Sequence, residues 1–339
     1  MRIVSRRTIV SRMCAALTLS PAAGISPMAA WAQSGDQTGA RSNSWPTRPV
    51  RWILPFGPGS GVDVGARLLA DRLSARWGQP VIVDNRPGGD GIIAMTAFLN
   101  ANDDHVLLYC GTGSYTVHPY QIEHLPYDFQ RDLAPIAHVA NTVMAVTIPA
   151  SMKTTSLLDF IALAKAQPGK LNAAVPQGIS ELVFDGFLKT AGIDIQKVPY
   201  KDVVQAVPDL AEARINIMYT SYAVVRPIAT AGTARVLAVG TQARVTSLPD
   251  IPTAREAGVP SLEIDGLSGL FGPAKMPLAV RQKIGADIID VMKDETILSR
   301  LSASGQAPTP GGPEELGAAV QKQVDQVDAL AKMLGVARK

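Results

Sequence analysis

Cysteine is almost missing from this 339-residue chain: Cys14 and Cys110 are the only two. Cys14 lies in an N-terminal stretch that reads as a removable export signal, and Arg12 and Met13 before it make a poor lipidation box. One remaining cysteine cannot form an internal disulfide, so a hydrophobic core has to hold the fold. Aromatics are scarce as well, at 5%. The four histidines, His105, His118, His124 and His138, fall at no metal-ligand spacing and have no cysteine cluster beside them, which argues against a zinc site. No G-x-S-x-G elbow is present; Gly57 to Gly61 and Gly111 to Tyr115 are out of register for one. A paired acid and base is also missing. Asp103-Asp104 reads as a solvated turn, and Glu314-Glu315 as first-turn acids that complement a helix dipole. After residue 32 no apolar run is long enough to span a bilayer.

The positive charge is local. Arg2, Arg6, Arg7 and Arg12 precede a weakly apolar stretch and an Ala30-Trp31-Ala32 cleavage site, the layout of a secretory signal over residues 1–32. Ser5-Arg6-Arg7-Thr8-Ile9-Val10 also fits a twin-arginine export signal, so the general and twin-arginine routes both stay open. Removing these four arginines takes the formal net charge from +3 to −1. Nucleic-acid binding is therefore not expected. Residues 33–45, polar and rich in Gly and Ser, read as a flexible leader. The expected location is the periplasm.

The stretch Arg51 to Ala70 organises the rest. Trp52 to Phe56 reads as a buried strand, Gly57 to Gly61 as a tight turn, and Asp63 as the N-cap of a helix with Val64, Leu68, Leu69, Leu73 and Trp77 on one face. A strand, a glycine turn and a helix N-terminus offer free N–H groups and a favourable dipole to an anion. Further strands at 81–84 and 106–110 alternate with a helix at 92–99, and the second ends in Gly111-Thr112-Gly113-Ser114. Strand-helix alternation predicts an α/β fold with a parallel sheet, ligands binding at the carboxyl ends of the strands. A strand-like stretch at 143–149 precedes a second unit of the same kind, from Leu157 to Gly240, followed by an extended segment at 262–271 and helices over 278–293 and 313–334.

One competing reading is an exported NAD(P)-dependent oxidoreductase. Gly57-x-Gly59 after a strand, with Asp84 ending the next one, mimics a dinucleotide fingerprint. Val62 stands where the third glycine belongs, and Pro55 and Pro58 stiffen the turn and remove donors.

Five ordered motifs then resemble the extracytoplasmic solute receptors of tripartite tricarboxylate transporters, the Bug or TctC family. They are Pro55-Phe56-Gly57-Pro58-Gly59-Ser60-Gly61-Val62-Asp63, Asp84-Asn85-Arg86-Pro87-Gly88, Leu125-Pro126-Tyr127-Asp128 with Asp132, Val198-Pro199-Tyr200-Lys201, and the segment Leu248 to Pro260. The match runs from Trp45 to the C-terminus. The resemblance implies a type II periplasmic binding protein fold, two α/β domains with a ligand cleft between them. Residues 46–145 plus 266–339 would form domain 1, and 146–265 domain 2. It implies a monomeric, non-enzymatic protein without cofactor or metal that binds a small organic acid. Its partners would be membrane subunits of the TctA and TctB type; a periplasmic sensor feeding a signalling partner would use the same fold.

The ligand-binding residues implied are Phe56, Gly59, Ser60, Gly61, Val62, Thr112, Gly113, Ser114 and Tyr115 on the first domain. On the second they are Gln177, Gly178, Ser180, Tyr200 and Tyr219. That second wall departs from the family: in Val175 to Glu181 only Ser180 is retained, Tyr219-Thr220-Ser221 replaces F-D-N, and Asp202 ends the V-P-Y-K element. Phe56, Tyr115, Tyr200 and Tyr219 are expected to converge on the cleft, with Glu181 and Asp202 adding negative charge opposite the glycine turns. A monocarboxylate, aromatic or amide- or amine-bearing, is therefore expected over citrate.

Overall fold

The structure, a computed structural model, describes residues 45–339. The export-signal reading and all but the last residue of the leader lie outside the described residues. Trp45 itself is buried with its ring 5.1 Å from that of Trp77, so it belongs to the folded body and not to a leader.

Two sheets carry the fold. The first takes β1 (Val50–Leu54), β2 (Val81–Asn85), β3 (Val106–Gly111) and β4 (Leu133–Thr142), then β10 (Gly266–Pro273) and β11 (Gln306–Gly311) from the far end of the chain. Its spatial order is β11-β4-β10-β3-β1-β2. The second takes β5 (Met144–Pro149), β6 (Asn172–Ala174), β7 (Gln196–Lys197), β8 (Ile217–Ser221) and β9 (Ala234–Val239), in the order β7-β6-β8-β5-β9. The parallel sheet predicted from alternation is only half right. β1 pairs parallel with β2 and β3, and β6 with β7 and β8, but β10, β11 and β5 all pair antiparallel with their neighbours. Of these, β5 and β10 are the strands where the chain changes sheets, whereas β11 stays in the first sheet as its edge. Only Val143 separates β4 from β5, and the chain returns just before Gly266.

Helices cover both sheets: α1 (Gly61–Trp77), α2 (Ile92–Ala101), α3 (Gly113–Gln121), α4 (Phe129–Asp132), α5 (Leu157–Ala166), α6 (Ile179–Ala191), α7 (Val207–Ala211), α8 (Tyr222–Thr230), α9 (Leu278–Val291), α10 (Glu295–Ala303) and α11 (Pro313–Leu334). One core gathers Trp52, Leu54, Val62, Ala66, Leu69 and Leu73 with Ile284 and Ile288 on the first sheet. Another gathers Val146, Phe160, Phe184, Phe187, Ile217 and Tyr219 on the second. The buried side of α1 is Val62, Ala66, Leu69 and Leu73; of the face read in the sequence Leu69 and Leu73 are buried, while Val64, Leu68 and Trp77 are only partly covered.

α11 spans both lobes. Leu316 lies under Gly269 of β10, where an added Cβ would meet its Cδ1 at 2.9 Å. Further along, Leu330 and Met333 reach α6: a Cβ on Gly186 would stand 2.6 Å from Leu330 Cδ2, and Lys189 Nζ donates to the Met333 carbonyl at 2.5 Å. Among the described residues no helix is long and apolar enough to cross a membrane.

Candidate functional site

β1 and β3 are parallel neighbours, so the turns that leave them open at the same edge of the first sheet. β1 leads through Pro55 to Ser60 into α1, and β3 leads into α3 with only Thr112 between. Phe56 closes the space between the two: a Cβ on Gly111 would sit 3.6 Å from its ring. β6 and β8 are likewise parallel neighbours in the second sheet, feeding α6 and α8.

The four helix starts meet at the junction of the lobes. A Cβ on Gly113 would stand 2.7 Å from Ile179 Cγ2, which sets the start of α3 against the start of α6. Ser304 and Gly305 join the other pair. A Cβ on Gly61 would lie 2.9 Å from the Ser304 carbonyl oxygen, and one on Gly305 would lie 2.6 Å from Ala223 Cβ in α8. Arg226, one turn along α8, donates to the Ala303 carbonyl at the end of α10. Four positive helix ends, two per lobe, therefore border one gap. The Gly61, Val62, Gly113, Ser114, Ile179 and Ser180 N–H groups, all in first turns, meet no acceptor among the described residues.

The first turn is organised differently from the sequence reading. Ser60, not Asp63, is the N-cap, its hydroxyl accepting from the Asp63 N–H at 3.2 Å. Asp63 is buried beneath the turn. It accepts from the Gly59 N–H at 2.8 Å, from Asn85 Nδ2 at 2.8 Å and from Arg67 Nε at 3.1 Å. Burial alone would push this carboxyl up, but the hydrogen bonds from Arg67, Gly59 and Asn85 outweigh it and hold it below the usual carboxylate range. Gly59, at φ +85°, thus shapes the turn and spends its donor on Asp63. The donors left for an anion are those of Gly61 and Val62.

Other expected site residues divide. Gly113 and Ser114 open α3 at the gap. Gly178, at φ +88°, caps α6 with Gln177 exposed beside it and Ser180 buried in its first turn. Thr112 is fully buried, and its hydroxyl donates to Gln323 Oε1 of α11 at 2.6 Å. Gln323 Nε2 in turn donates to the Asp265 carbonyl at 2.8 Å, so this pair ties the return crossing to α11.

The expected aromatic wall does not assemble. Tyr115 is buried, stacked 5.4 Å from Phe129, with its hydroxyl on the Gly91 carbonyl. Tyr219 is buried against Phe184 and donates to the Leu262 carbonyl at 3.1 Å. Tyr200 is half-buried and gives its hydroxyl to Asp209 at 2.6 Å. Only Phe56 of the four stands between the turns. The expected negative charge opposite is also compensated: Glu181 pairs with Lys197 at 2.8 Å, and Asp202 is exposed and caps the turn at Val203 by accepting from Val204 N.

Three residues escaped the sequence reading. Gln323 occupies the buried stripe of α11 between Val320 and Val327, and a polar residue at that spacing was a usable signal. His118 and Asp90 form a second cluster. Asp90 Oδ2 lies 3.0 Å from His118 Nε2, Asp90 Oδ1 accepts from Ser114 Oγ at 2.8 Å, and the other His118 nitrogen meets the Tyr127 hydroxyl. The serine bonds the carboxylate and not the imidazole, which is not the order of a nucleophile relay.

Known proteins share this architecture. A profile described as "Tripartite tricarboxylate transporter family receptor", TctC, matches residues 65–336. A protein of Bordetella bronchiseptica, named there only as a member of the UPF0065 group, is 32% identical over 285 residues, covering 84% of this chain and 85% of that protein. Protein BugT of Bordetella pertussis is 27% identical, covering 90% and 94%. Among solved structures, R. palustris Rpa4515 with adipate superposes with a TM-score of 0.74 at 28% identity, over 86% of this chain and 99% of that one. The periplasmic binding protein BugD superposes with a TM-score of 0.70 at 26% identity, over 87% and 100%. Sequence and architecture agree, and the chain belongs to the TctC family of tripartite tricarboxylate transporter receptors.

Proposed function

We propose that this protein is a periplasmic receptor that captures a small organic acid between its two lobes and delivers it to the membrane subunits of a tripartite tricarboxylate-type transporter. The carrying observation is the meeting of four helix N-termini whose first-turn N–H groups are unpaired, around a gap where the glycine turns contribute no lysine or arginine. Backbone donors suit a carboxylate, and the similar R. palustris protein holds adipate. The sites are Gly61, Val62, Gly113 and Ser114 on the first lobe with Gly178 and Ser180 on the second. Residues 46–145 plus 266–339 and residues 146–265 are the two bodies that close on the ligand, and the receptor acts as a monomer exported by residues 1–32. A dinucleotide fits poorly, because the Gly59 N–H that would help cradle pyrophosphate is spent on Asp63 at 2.8 Å and Asp84 is taken up by Arg86 at 3.0 Å. The test is a thermal-shift panel of mono-, di- and tricarboxylates with NADH and NADPH alongside. A carboxylate should raise the melting temperature with concentration, since it binds only the folded state. Saturable stabilisation by the nicotinamide cofactors alone would overturn the reading.

A further inference from the structure

The turn after β2 contains four consecutive residues at positive φ: Gly88 at 118°, Gly89 at 56°, Asp90 at 50° and Gly91 at 93°. Three are glycines, for which this region is unstrained. Asp90 is the exception, and an L-residue kept in a left-handed conformation at a turn directs attention to its side chain. That side chain is anchored at both oxygens, by Ser114 Oγ at 2.8 Å and His118 Nε2 at 3.0 Å. His118 is fully buried, with Nδ1 at the Tyr127 hydroxyl and Nε2 at the carboxylate; an ionised carboxylate only accepts, so Nε2 carries the hydrogen directed at it. Burial would raise the Asp90 carboxyl, but the hydrogen bonds from His118 and Ser114 prevail and keep it below the ordinary range, so it is ionised at neutral pH.

The carboxylate is nevertheless 56% exposed, and each oxygen has acceptor capacity left. Among the described residues no lysine or arginine pairs with it. Its partner Ser114 follows Gly113, the residue that faces Ile179 across the lobes. A held negative charge therefore stands one hydrogen bond from the gap, beside the start of α3. It offsets the positive end of that helix, whereas the acid at the start of α1, Asp63, is paired with Arg67 at 3.1 Å, which leaves the start of α1 as the stronger anion site. The two acids expected to colour the opposite wall, Glu181 and Asp202, cannot do this, since the first is ion-paired and the second turns outward as a cap.

We infer that Asp90 sets the charge preference of the gap: it accepts a hydrogen bond from an ammonium, amide or hydroxyl group at the end of the bound acid remote from the α1 turn, and it repels a second carboxylate there. This rests on the carboxylate-receptor reading above. The experiment measures affinity by calorimetry for linear acids of four to eight carbons and for para-substituted benzoates. Each is offered as a monocarboxylate, a dicarboxylate and an amino-terminated acid, to the wild type, Asp90→Asn and Asp90→Gly. Asn and Gly both tolerate the left-handed backbone at 90, so two variants guard against a folding failure.

In the wild type the amino-terminated acid should bind at least about ten-fold tighter than the dicarboxylate of equal length. Both variants should bring that ratio to within about three-fold while the plain monocarboxylate keeps its affinity. Dicarboxylates binding the wild type as tightly as amino acids, or a preference that survives both variants, would overturn the assignment and leave the carboxylate reading standing. Binding of none of these acids, the plain monocarboxylates included, would overturn both.

Discussion

Gly113 and Ile179 face each other across the two lobes so closely that a single methyl on Gly113 would come within 2.7 Å of Ile179 Cγ2. Gly113 does not need left-handed freedom, so its lack of a side chain serves the close approach. Gly113→Ala should leave the unliganded melting temperature within about 1 °C of wild type, since alanine suits a helix better than glycine does. Affinity for a cleft ligand should fall at least about ten-fold because the lobes cannot meet. Ile179→Ala added to it should restore part of the loss, read by calorimetry. A lone Gly113→Ala that binds normally would refute the contact's role in closure.

Asp63 predicts an acid-sensitive turn. Its carboxyl is held below the usual range by Arg67, Gly59 and Asn85 in spite of burial. A depressed folded pKa contributes stability above the ordinary carboxylate range of about pH 4 and loses it as pH falls through the folded value. Asp63→Asn should therefore cost on the order of 2 kcal/mol at pH 7, discounted for the half-exposed Arg67. The gap from wild type should narrow as pH falls below the ordinary carboxylate range of about 4. Urea melts at several pH values measure it.

Asp265 predicts the opposite sign. Burial pushes its carboxyl above the ordinary range, and Gln242, Lys322 and His138 only partly offset this. A raised carboxyl penalises folding once it ionises, so the cost is present above the folded pKa and vanishes below the unfolded one. Asp265→Asn keeps an oxygen for Gln242 Nε2, 2.5 Å away. It should raise the melting temperature at pH 7 by roughly 1–4 °C and change little at about pH 3.

The contact between α6 and α11 can be tested at Gly186. Its missing Cβ would meet only the flexible tips of Leu330, at 2.6 Å, and Met333, at 3.3 Å. Gly186→Ala should be close to neutral, helix propensity offsetting a small shift. Gly186→Leu should cost about 1–3 kcal/mol by overpacking, seen as a lower urea midpoint with unchanged slope.

Much of the site's scaffold can be read from the chain because it is local. The strand, turn and helix around Gly57 to Asp63 depend on neighbours in sequence, and glycine and serine announce them. α5, at Leu157–Ala166, and α11, started by Gly312-Pro313, are legible for the same reason. What stays hidden depends on partners far away. β11 contains Pro308 and Pro310, which argue against a strand, yet it forms at a sheet edge where missing donors are tolerated. β4 lacks alternation because it is covered on both faces. α8 carries Pro227, and α10 is a short helix set between two longer ones. The tyrosines mislead for a related reason. Position at a strand end does not tell which side of the sheet a ring occupies, and Tyr115 and Tyr219 turn inward to pack. Asp90 looks like part of a glycine run, because its role needs Ser114 and His118, 24 and 28 residues away.

The placement of β10 between β3 and β4 governs the order in which the molecule can be made. When a ribosome has released the first 150 residues, β3 and β4 exist but the strand that joins them does not. The second lobe, closed within residues 144–239 of its own strands, can form first as a local unit. The first sheet must wait with two unpaired edges for residues 266–273, a pairing of long sequence separation and hence slow to form. A chain halted before Gly266 would present those edges to other chains, so truncation there should yield aggregates and not a half-sized receptor.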